Sequence, residues 1–177
     1  MPCDFEYMGP ETRLAITPLS ERLHLTVATA LSQNMIGSIQ GLAGVGKVGM
    51  LNDMAVIARR HFMQLACSDQ MDANFLAKML RGACAEGSWL KFNEFNRIAI
   101  ETLRFFGMYM EEVREALILN QHEMKLLGVP FKINPTFGCF ATYNPGYAGR
   151  TELPRSLRSI SRVMTIIKPN LEIIAKV

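Results

Sequence analysis

The chain has 177 residues, of which 49% are hydrophobic and 20% charged, a balance typical of one folded globular domain and unlike that of a disordered chain. Its formal net charge of +3 is too small to indicate a nucleic-acid or membrane partner, and no apolar run is long enough to span a bilayer. The four cysteines are scattered without metal-ligand spacing and the first residues lack the blocks of a signal sequence, so we expect a cytoplasmic protein with reduced thiols.

Strand and helix patterns alternate along the chain. Short apolar runs predict strands over residues 35–40, 62–66, 89–92, 137–142 and 163–167. Helical spacing predicts helices over about residues 18–34, 47–60, 98–119 and 154–159, and Thr17 is the predicted N-cap of the first. A further helix is predicted to be capped by Ser68 or Asp69 and to end at Gly87, and another is predicted to start at Asn170. Residues 124–133 alternate as a hairpin does, and residues 1–13 carry no periodic pattern. This order predicts an α/β fold with parallel crossovers.

One stretch of the chain carries a chemical pattern, G-x-x-x-x-G-K followed by valine. Its residues are Gly41, Leu42, Ala43, Gly44, Val45, Gly46, Lys47 and Val48. In a phosphate-binding loop, glycines let backbone N–H groups point at phosphate oxygens, the lysine reaches the outer phosphates, and a following Ser or Thr hydroxyl binds Mg²⁺. A strand before the stretch and a helix after it are the flanks that such a loop requires, so we favour a phosphate loop over a glycine-rich turn that ends in lysine by chance.

A second motif follows the third predicted strand. In a phosphate-loop protein an Asp–Glu pair normally stands at the end of a distant strand, where the Asp helps to hold Mg²⁺ and the Glu polarises the attacking water. Here the pair is Asn93 and Glu94, so the glutamate is present and the aspartate is replaced by its amide.

Together these motifs make the chain resemble the first AAA+ module of dynein heavy chains, the hydrolytic ATP site of that motor. The resemblance covers nearly the whole chain and is carried by residues 5–7, 16–19, 41–47, 67–69, 92–98, 134–136 and, most specifically, 144–154. It implies the P-loop NTPase fold of an AAA+ large subdomain. In that fold a five-stranded parallel sheet is flanked by helices and has the phosphate-loop strand at its centre, and a β-hairpin is inserted into the long helix after the acidic pair.

The resemblance also implies roles for individual residues. Residues 41–48 would surround the phosphates of ATP or ADP, and Lys47 would neutralise the outer two. Glu94 would be the general base, and Asn144 would sense the terminal phosphate. The adenine pocket would be lined by Ile16, Thr17, Pro18 and Leu19.

The two residues that hold the metal in this family are both altered. Valine at position 48 has no lone pair to offer, and the amide of Asn93 is neutral and a weak substitute for a carboxylate. A metal ion contributes several kcal/mol to phosphoryl transfer, so its loss costs roughly a thousandfold or more in rate. We therefore expect weak or absent Mg²⁺ binding and weak or no hydrolysis.

Lys91 is a further departure, because a lone lysine interrupts an apolar strand. We expect either that its ammonium reaches solvent or that this strand is less buried than in the family.

These features predict a single dynein-type ATP-binding domain over residues 1–177, without the helical lid subdomain, related to microtubule-based movement and not a motor by itself. The alternatives are a working ATPase module of a motor whose other segments lie elsewhere, and a relic or non-nucleotide interaction fragment. The expected partners are nucleotide and dynein-type heavy chains or axonemal and cytoskeletal assemblies, with no nucleic acid and no membrane, which by resemblance places the chain at the cytoskeleton or cilium. A cluster at Phe105, Phe106, Met108 and Met110 further predicts an exposed apolar patch and self-association.

Overall fold

Helices and strands alternate along the described part of the chain, which in this computed structural model covers residues 14–145 and 152–167. The helices are α1 (Pro18–Ser32), α2 (Lys47–Ile57), α3 (Ala73–Glu86), α4 (Ile100–Ile118) and α5 (Arg155–Ser159). The strands are β1 (Ile36–Gly41), β2 (Phe62–Ala66), β3 (Trp89–Asn93), β4 (Glu123–Leu126), β5 (Val129–Lys132), β6 (Gly138–Tyr143) and β7 (Ser161–Ile166). The predicted alternation is confirmed, while the leading segment 1–13 and the helix start at Asn170 lie outside the described residues.

Five of the strands form a parallel sheet in the order β2-β3-β6-β1-β7. The expectation that the phosphate-loop strand would be central is wrong, since β6 holds the middle position and β1 lies between β6 and β7. Because parallel strands share one direction, their carboxyl ends meet at one edge of the sheet. The segments that follow β1, β2, β3 and β6 therefore lie at the same end of the molecule.

The remaining two strands, β4 and β5, form the predicted hairpin, with Leu127 and Gly128 both at positive φ in its turn. The hairpin is not inserted into the long helix as the resemblance implied. Helix α4 runs unbroken to Ile118, Asn120 adopts a positive φ of 51° just after it, and the hairpin then connects α4 to β6. An asparagine accepts this left-handed conformation at little cost, so the helix ends there.

Helix α1 begins as the sequence predicts. Thr17 is its N-cap and accepts a hydrogen bond from the backbone amide of Ser20 at 3.2 Å. Helix α2 ends at Ile57, earlier than predicted, and Arg59 follows with a positive φ of 50°. A residue in that conformation cannot continue a right-handed helix.

Helix α3 begins later than the sequence predicts. Its N-cap is Asp72, whose carboxylate accepts from the backbone amide of Phe75 at 2.6 Å, and neither Ser68 nor Asp69 has this role. The end of the helix is as predicted, because Gly87 adopts a left-handed φ of 82°.

Lys91 on β3 neither reaches solvent nor lies on an exposed strand, so both expectations for it are wrong. The side chain is 0% exposed, and the strand around it is buried. Its Nζ donates to Oδ1 of Asn52 at 2.9 Å and lies 4.9 Å from the ring centroid of Phe62. Burial lowers the pKa of Lys91 to about 8. The amide oxygen and the aromatic face offset part of the cost of this burial.

The apolar cluster predicted on α4 divides between the core and the surface. Phe106 and Met110 are buried, and Phe106 packs edge-on against Phe92 at a centroid distance of 5.0 Å. Phe105 and Met108 point the other way and are 49% and 54% exposed. Helical spacing separates the two pairs, so the exposed apolar area is smaller than the sequence suggested.

Candidate nucleotide-binding site

A cleft of about 580 Å³ lies at the carboxyl edge of the sheet, where four strands end. Its walls come from the loop after β1, the first turn of α2 and the segments that end β2, β3 and β6. The lining residues are Ala43, Gly44, Gly46, Lys47, Val48, Gly49, Ala66, Cys67, Asn93, Glu94, Arg97, Thr142 and Asn144. Ligands of open α/β sheets bind at this edge.

The glycine-rich loop contains two residues in the left-handed backbone conformation. Gly44 and Gly46 adopt φ angles of 80° and 84°, which L side chains rarely adopt. Gly46 is the N-cap of α2 and has no side chain that could accept a hydrogen bond from the first amides of the helix, and the residues from Gly46 to Gly49 line the cleft. A helix N-terminus with such amides favours bound anions.

Lys47 lies inside the loop and is 8% exposed. Its Nζ donates to the carbonyl oxygens of Gly41 at 2.8 Å and Leu42 at 2.6 Å, and to Oδ1 of Asn144 at 2.6 Å. Burial lowers the pKa of Lys47, and the negative charge of Glu94 partly opposes this shift. The ammonium therefore lies at the cleft, and its hydrogen-bond partners among the described residues are neutral oxygens, which a phosphate oxygen can replace.

Glu94 and Arg97 form an ion pair on the opposite wall, with Nε of Arg97 2.7 Å from Oε2 of Glu94. Glu94 follows the last residue of β3 and adopts a left-handed conformation, with φ 54° and ψ 47°. Its backbone amide donates to Oγ1 of Thr142 on the neighbouring strand at 3.4 Å. Strained backbone of this kind is common where a side chain has to be aimed at a site.

Asn144 links the two walls of the cleft. It follows β6 and is 6% exposed, its side chain accepts from Lys47, and its backbone carbonyl accepts from Nδ2 of Asn96 at 2.9 Å. Asn96 belongs to the short 3₁₀ turn after β3, so this bond joins the end of β6 to the segment that carries Glu94. These two hydrogen bonds therefore connect Lys47 to the segment that follows β3.

The residues at the two metal-holding positions do not fit a magnesium site. Val48 lines the cleft but has no donor atom in its side chain. Oδ1 of Asn93 is buried and has no hydrogen-bond partner among the described residues, so one neutral oxygen is all that this pair offers. The described ranges also contain no group of three or more His, Cys, Asp or Glu residues that could hold a metal ion. Magnesium prefers hard oxygen ligands such as carboxylates, hydroxyls, water and phosphates, and a valine and a neutral amide are poor by comparison.

Most of the expected phosphate-site residues are brought together, and those of the adenine pocket are not. The cleft is lined by Ala43, Gly44, Gly46, Lys47, Val48, Asn93, Glu94 and Asn144, whereas Gly41, Leu42, Val45 and residues 16–19 do not line it. Ile16 is 73% exposed, and Leu19 packs among the apolar residues between α1 and α2. The adenine role of this segment therefore stays a prediction.

Five lining residues had no role predicted from the sequence: Gly49, Ala66, Cys67, Arg97 and Thr142. Arg97 and Thr142 had no assigned role, although Arg97 stands three positions after Glu94, a spacing that can bring the two side chains together in a helical turn. Cys67 also lines the cleft but is 3% exposed, and burial together with the charge of Glu94 raises its pKa to about 12. It remains a neutral thiol at physiological pH.

Comparisons with known proteins agree with this geometry. A family model described as the hydrolytic ATP binding site of the dynein motor region matches residues 3–177. Similar proteins include dynein axonemal heavy chain 9 of Homo sapiens, 35% identical over 173 residues, and dynein axonemal heavy chain 2 of Mus musculus, 37% identical over 175 residues. The dynein-1-beta heavy chain of the flagellar inner arm I1 complex of Chlamydomonas reinhardtii is 35% identical over 173 residues. The alignments cover 98% of this chain and 4% of each relative, so the chain corresponds to a small part of those proteins.

Among solved structures, the fold resembles that of a candidate ATPase from Cytophaga hutchinsonii, with a TM-score of 0.58. The match covers 88% of this chain and 48% of the other at 13% sequence identity, and it supports the fold alone. In the described ranges, no helix is long and apolar enough to cross a membrane.

Proposed function

The chain belongs to the family of hydrolytic ATP-binding domains of the dynein motor region, and on that basis we propose that it is a nucleotide-binding module with little dependence on Mg²⁺ and little or no hydrolysis. The ligand is ATP or ADP, held through the backbone amides of residues 41–48 and the ammonium of Lys47. The single domain spans residues 1–177, as the match over nearly the whole chain supports.

One observation supports this proposal above the others. Lys47 is buried and lies at the cleft, its hydrogen-bond partners in the described part of the chain are neutral oxygens, and the neighbouring Val48 supplies no metal ligand. The part of the site that neutralises phosphate is therefore present, and the part that positions a metal ion is altered. Phosphate binding by amides and a lysine requires no metal, because charge-assisted hydrogen bonds to phosphate oxygens are strong in themselves.

Slow hydrolysis follows from the same arrangement. Glu94 carries the carboxylate that a general base needs, but it is paired with Arg97 at 2.7 Å, and the metal-holding side chains beside it are a valine and an amide. A carboxylate that orients water contributes little unless the terminal phosphate is fixed and its developing charge is compensated.

Calorimetric titration of the full chain with ATP or ADP tests the proposal. We expect measurable binding that changes by less than about threefold when Mg²⁺ is replaced by EDTA, and loss of binding in Lys47→Ala because the main phosphate cation is removed. Lys78→Ala, an exposed lysine on α3, is the matched control and should bind as the unmodified chain does. A large loss of affinity in EDTA would contradict the proposal, and so would unchanged binding by Lys47→Ala.

A second candidate function is that of a working ATPase module within a longer motor. It is favoured by the convergence of Lys47, Glu94 and Asn144 on one cleft, the set that the resemblance assigns to chemistry. In that case a neighbouring module would have to supply the positive charge that this cleft lacks. Hydrolysis assays separate the two candidates.

The relatives also suggest where such a module acts. Because the matched proteins include axonemal and flagellar dynein heavy chains, we propose dynein-type heavy chains or axonemal assemblies as partners and the cytoskeleton or cilium as location. On its own the module would not be a motor.

A further inference from the structure

We propose that a second cavity, at the end of the sheet opposite the nucleotide cleft, binds a small organic anion that has an apolar ring system and one negatively charged group. This cavity is called the amino-edge cavity below. Its volume is about 720 Å³, compared with about 580 Å³ for the cleft, and the described residues that line the two are different. The inference therefore goes beyond the proposed function and does not depend on it.

The amino-edge cavity lies where two helices end and two strands begin. Its walls come from the last turns of α1 and α2, the two residues after α2, the first residue of β3 and the segment before β6. The described lining residues are Ala28, Leu31, Ser32, Met54, Ile57, Ala58, Arg59, Arg60, Trp89, Pro135, Thr136 and Phe137. Because β3 is five residues long, the two edges of the sheet lie about 15 Å apart, so a small ligand in this cavity does not touch the phosphate loop.

The inner wall of the cavity is apolar and partly aromatic. Trp89 and Phe137 are 2% and 6% exposed, and Leu31 and Met54 are partly buried. Ile57 is 49% exposed and adds apolar area to the same lining. Ligand sites in proteins are typically lined in this way, with a few polar groups that fix the orientation of an apolar ligand.

The hydroxyl groups of the lining already have backbone partners. Oγ of Ser32 donates to the carbonyl oxygen of Thr29 at 2.9 Å, and Oγ1 of Thr136 lies 3.0 Å from the carbonyl oxygen of Gly87. Both hydroxyl protons therefore have an acceptor inside the protein. A ligand rich in hydroxyl groups, such as a sugar, would find few donors and acceptors here, whereas an apolar ring requires none.

Two arginines give the cavity its charge. Arg59 and Arg60 are the charged members of the described lining, which contains no carboxylate. Arginines at a helix end often bond its last carbonyl oxygens, but here the backbone amides of residues 58–60 bond to the carbonyl oxygens of residues 54–56, so these three need no side-chain donor. Each of the two helix ends contributes roughly half a negative charge, which is less than the two guanidinium groups carry together. The net charge at the cavity therefore favours an anion.

A ligand with one charged group and an apolar ring matches this combination. The ring can pack against Trp89 and Phe137, while a carboxylate or sulfonate reaches the guanidinium of Arg59 or Arg60. A nucleotide matches it poorly, because its ribose and phosphates require many donors and the described lining is mainly apolar.

Fluorescence titration of the full chain with anilinonaphthalene sulfonate tests the proposal, since this dye joins an apolar ring system to one negative charge. Trp89 is the only tryptophan of the chain and lines the cavity, so its emission reports on the occupant. We expect saturable dye binding that quenches Trp89 along the same curve and that saturating ADP does not reverse. The uncharged N-phenylnaphthylamine, which has the same ring system without the sulfonate, should bind about tenfold more weakly because it lacks the charge that meets the arginines.

Equal affinity for the two dyes would overturn the proposal, and so would displacement of the charged dye by ADP, which would place that dye in the nucleotide cleft. Failure of the chain to bind ADP, with dye binding as expected, would contradict the proposed function alone.

Two variants locate the site. Arg60→Met removes one positive charge and keeps a long side chain, so the affinity for the charged dye should fall about tenfold while the affinity for ADP stays the same. Arg22→Met, at an exposed arginine on α1 outside the lining, is the matched control and should change neither. Ala28→Phe narrows the cavity from α1 and should abolish dye binding, whereas Ala85→Phe, at an exposed position on α3, should not. Dye affinity that is unchanged in both Arg60→Met and Ala28→Phe would show that the dye binds elsewhere and would overturn the proposal.

Discussion

At the scale of single residues, Lys47 and Lys91 are both buried but differ in their partners. Lys47 donates to three oxygens, and its ammonium is next to the cleft. Lys91 lies deeper in the sheet and has one amide oxygen and one aromatic ring near its ammonium. A buried cation with so few partners destabilises the folded state, since the unfolded chain solvates it fully.

This difference predicts a pH-dependent stability. The pKa of Lys91 is lowered to about 8 in the folded state from 10.5, so between these values the unfolded chain binds more protons than the folded chain. The free energy of unfolding should therefore gain from this residue as pH rises from about 8 to about 10.5. Lys91→Met should raise stability at pH 7 by about 1–3 kcal/mol and remove that gain.

Urea denaturation at several pH values measures this effect. Lys78→Met, at an exposed position on α3, controls for the general change of charge and hydrophobicity and should leave the pH dependence as it is. A Lys91→Met chain that is less stable than the unmodified chain at pH 7 would show that the contact with Asn52 stabilises more than burial costs.

The phosphate loop could be predicted from the sequence, whereas the burial of Lys91 could not. The spacing of the glycines and Lys47 predicts a phosphate loop because that motif is local and its backbone conformation is specified by a few residues. The burial of Lys91 is not local, since its partner Asn52 is 39 positions away on α2 and Phe62 lies on another strand. Single-sequence reasoning recognised that a lone lysine in a strand is costly, but it had no means to identify these partners.

At the scale of elements, helix ends show a similar limit. Asp72 caps α3, although Ser68 and Asp69 are equally good capping residues by type. Which of them accepts an amide depends on where the chain leaves β2 and how α3 packs, and neither is written in the local sequence. The order of the strands is likewise a tertiary property, so the central position of β6 was not predicted.

The cap can be tested directly. Asp72→Ala removes the carboxylate that accepts from the amide of Phe75 at 2.6 Å, so we expect a loss of about 1 kcal/mol in the free energy of unfolding. Asp69→Ala is the matched control, because Asp69 is exposed and does not cap the helix, and it should change stability by less than about 0.5 kcal/mol. Thermal or urea denaturation compares the two, and a larger loss for Asp69→Ala would contradict the assignment.

At the scale of the whole molecule, α4 carries apolar side chains that are exposed to solvent and do not pack in the core. Phe105 and Met108 stand one helical turn apart and are 49% and 54% exposed. Their neighbours Phe106 and Met110 are buried, which leaves a small apolar area on the surface. An exposed apolar pair of this kind is removed from water when two chains associate through it, which favours association.

We predict that the isolated chain self-associates through this part of α4. Replacing both residues, Phe105→Ser with Met108→Ser, should shift the species measured by light scattering toward the monomer mass of 19.9 kDa. Leu25→Ser, which changes a 71% exposed residue on α1, is the control and should have no such effect. A monodisperse monomer at high concentration for the unmodified chain would contradict this prediction.

Steady-state phosphate release from ATP in the presence of Mg²⁺ measures whether hydrolysis is lost. We expect the unmodified chain to release no more phosphate than Glu94→Gln does, because Val48 and Asn93 leave the terminal phosphate without a well-placed metal ion. The double reversion Val48→Thr with Asn93→Asp should raise release above both. Turnover by the unmodified chain well above that of Glu94→Gln would contradict the account and favour a working ATPase module.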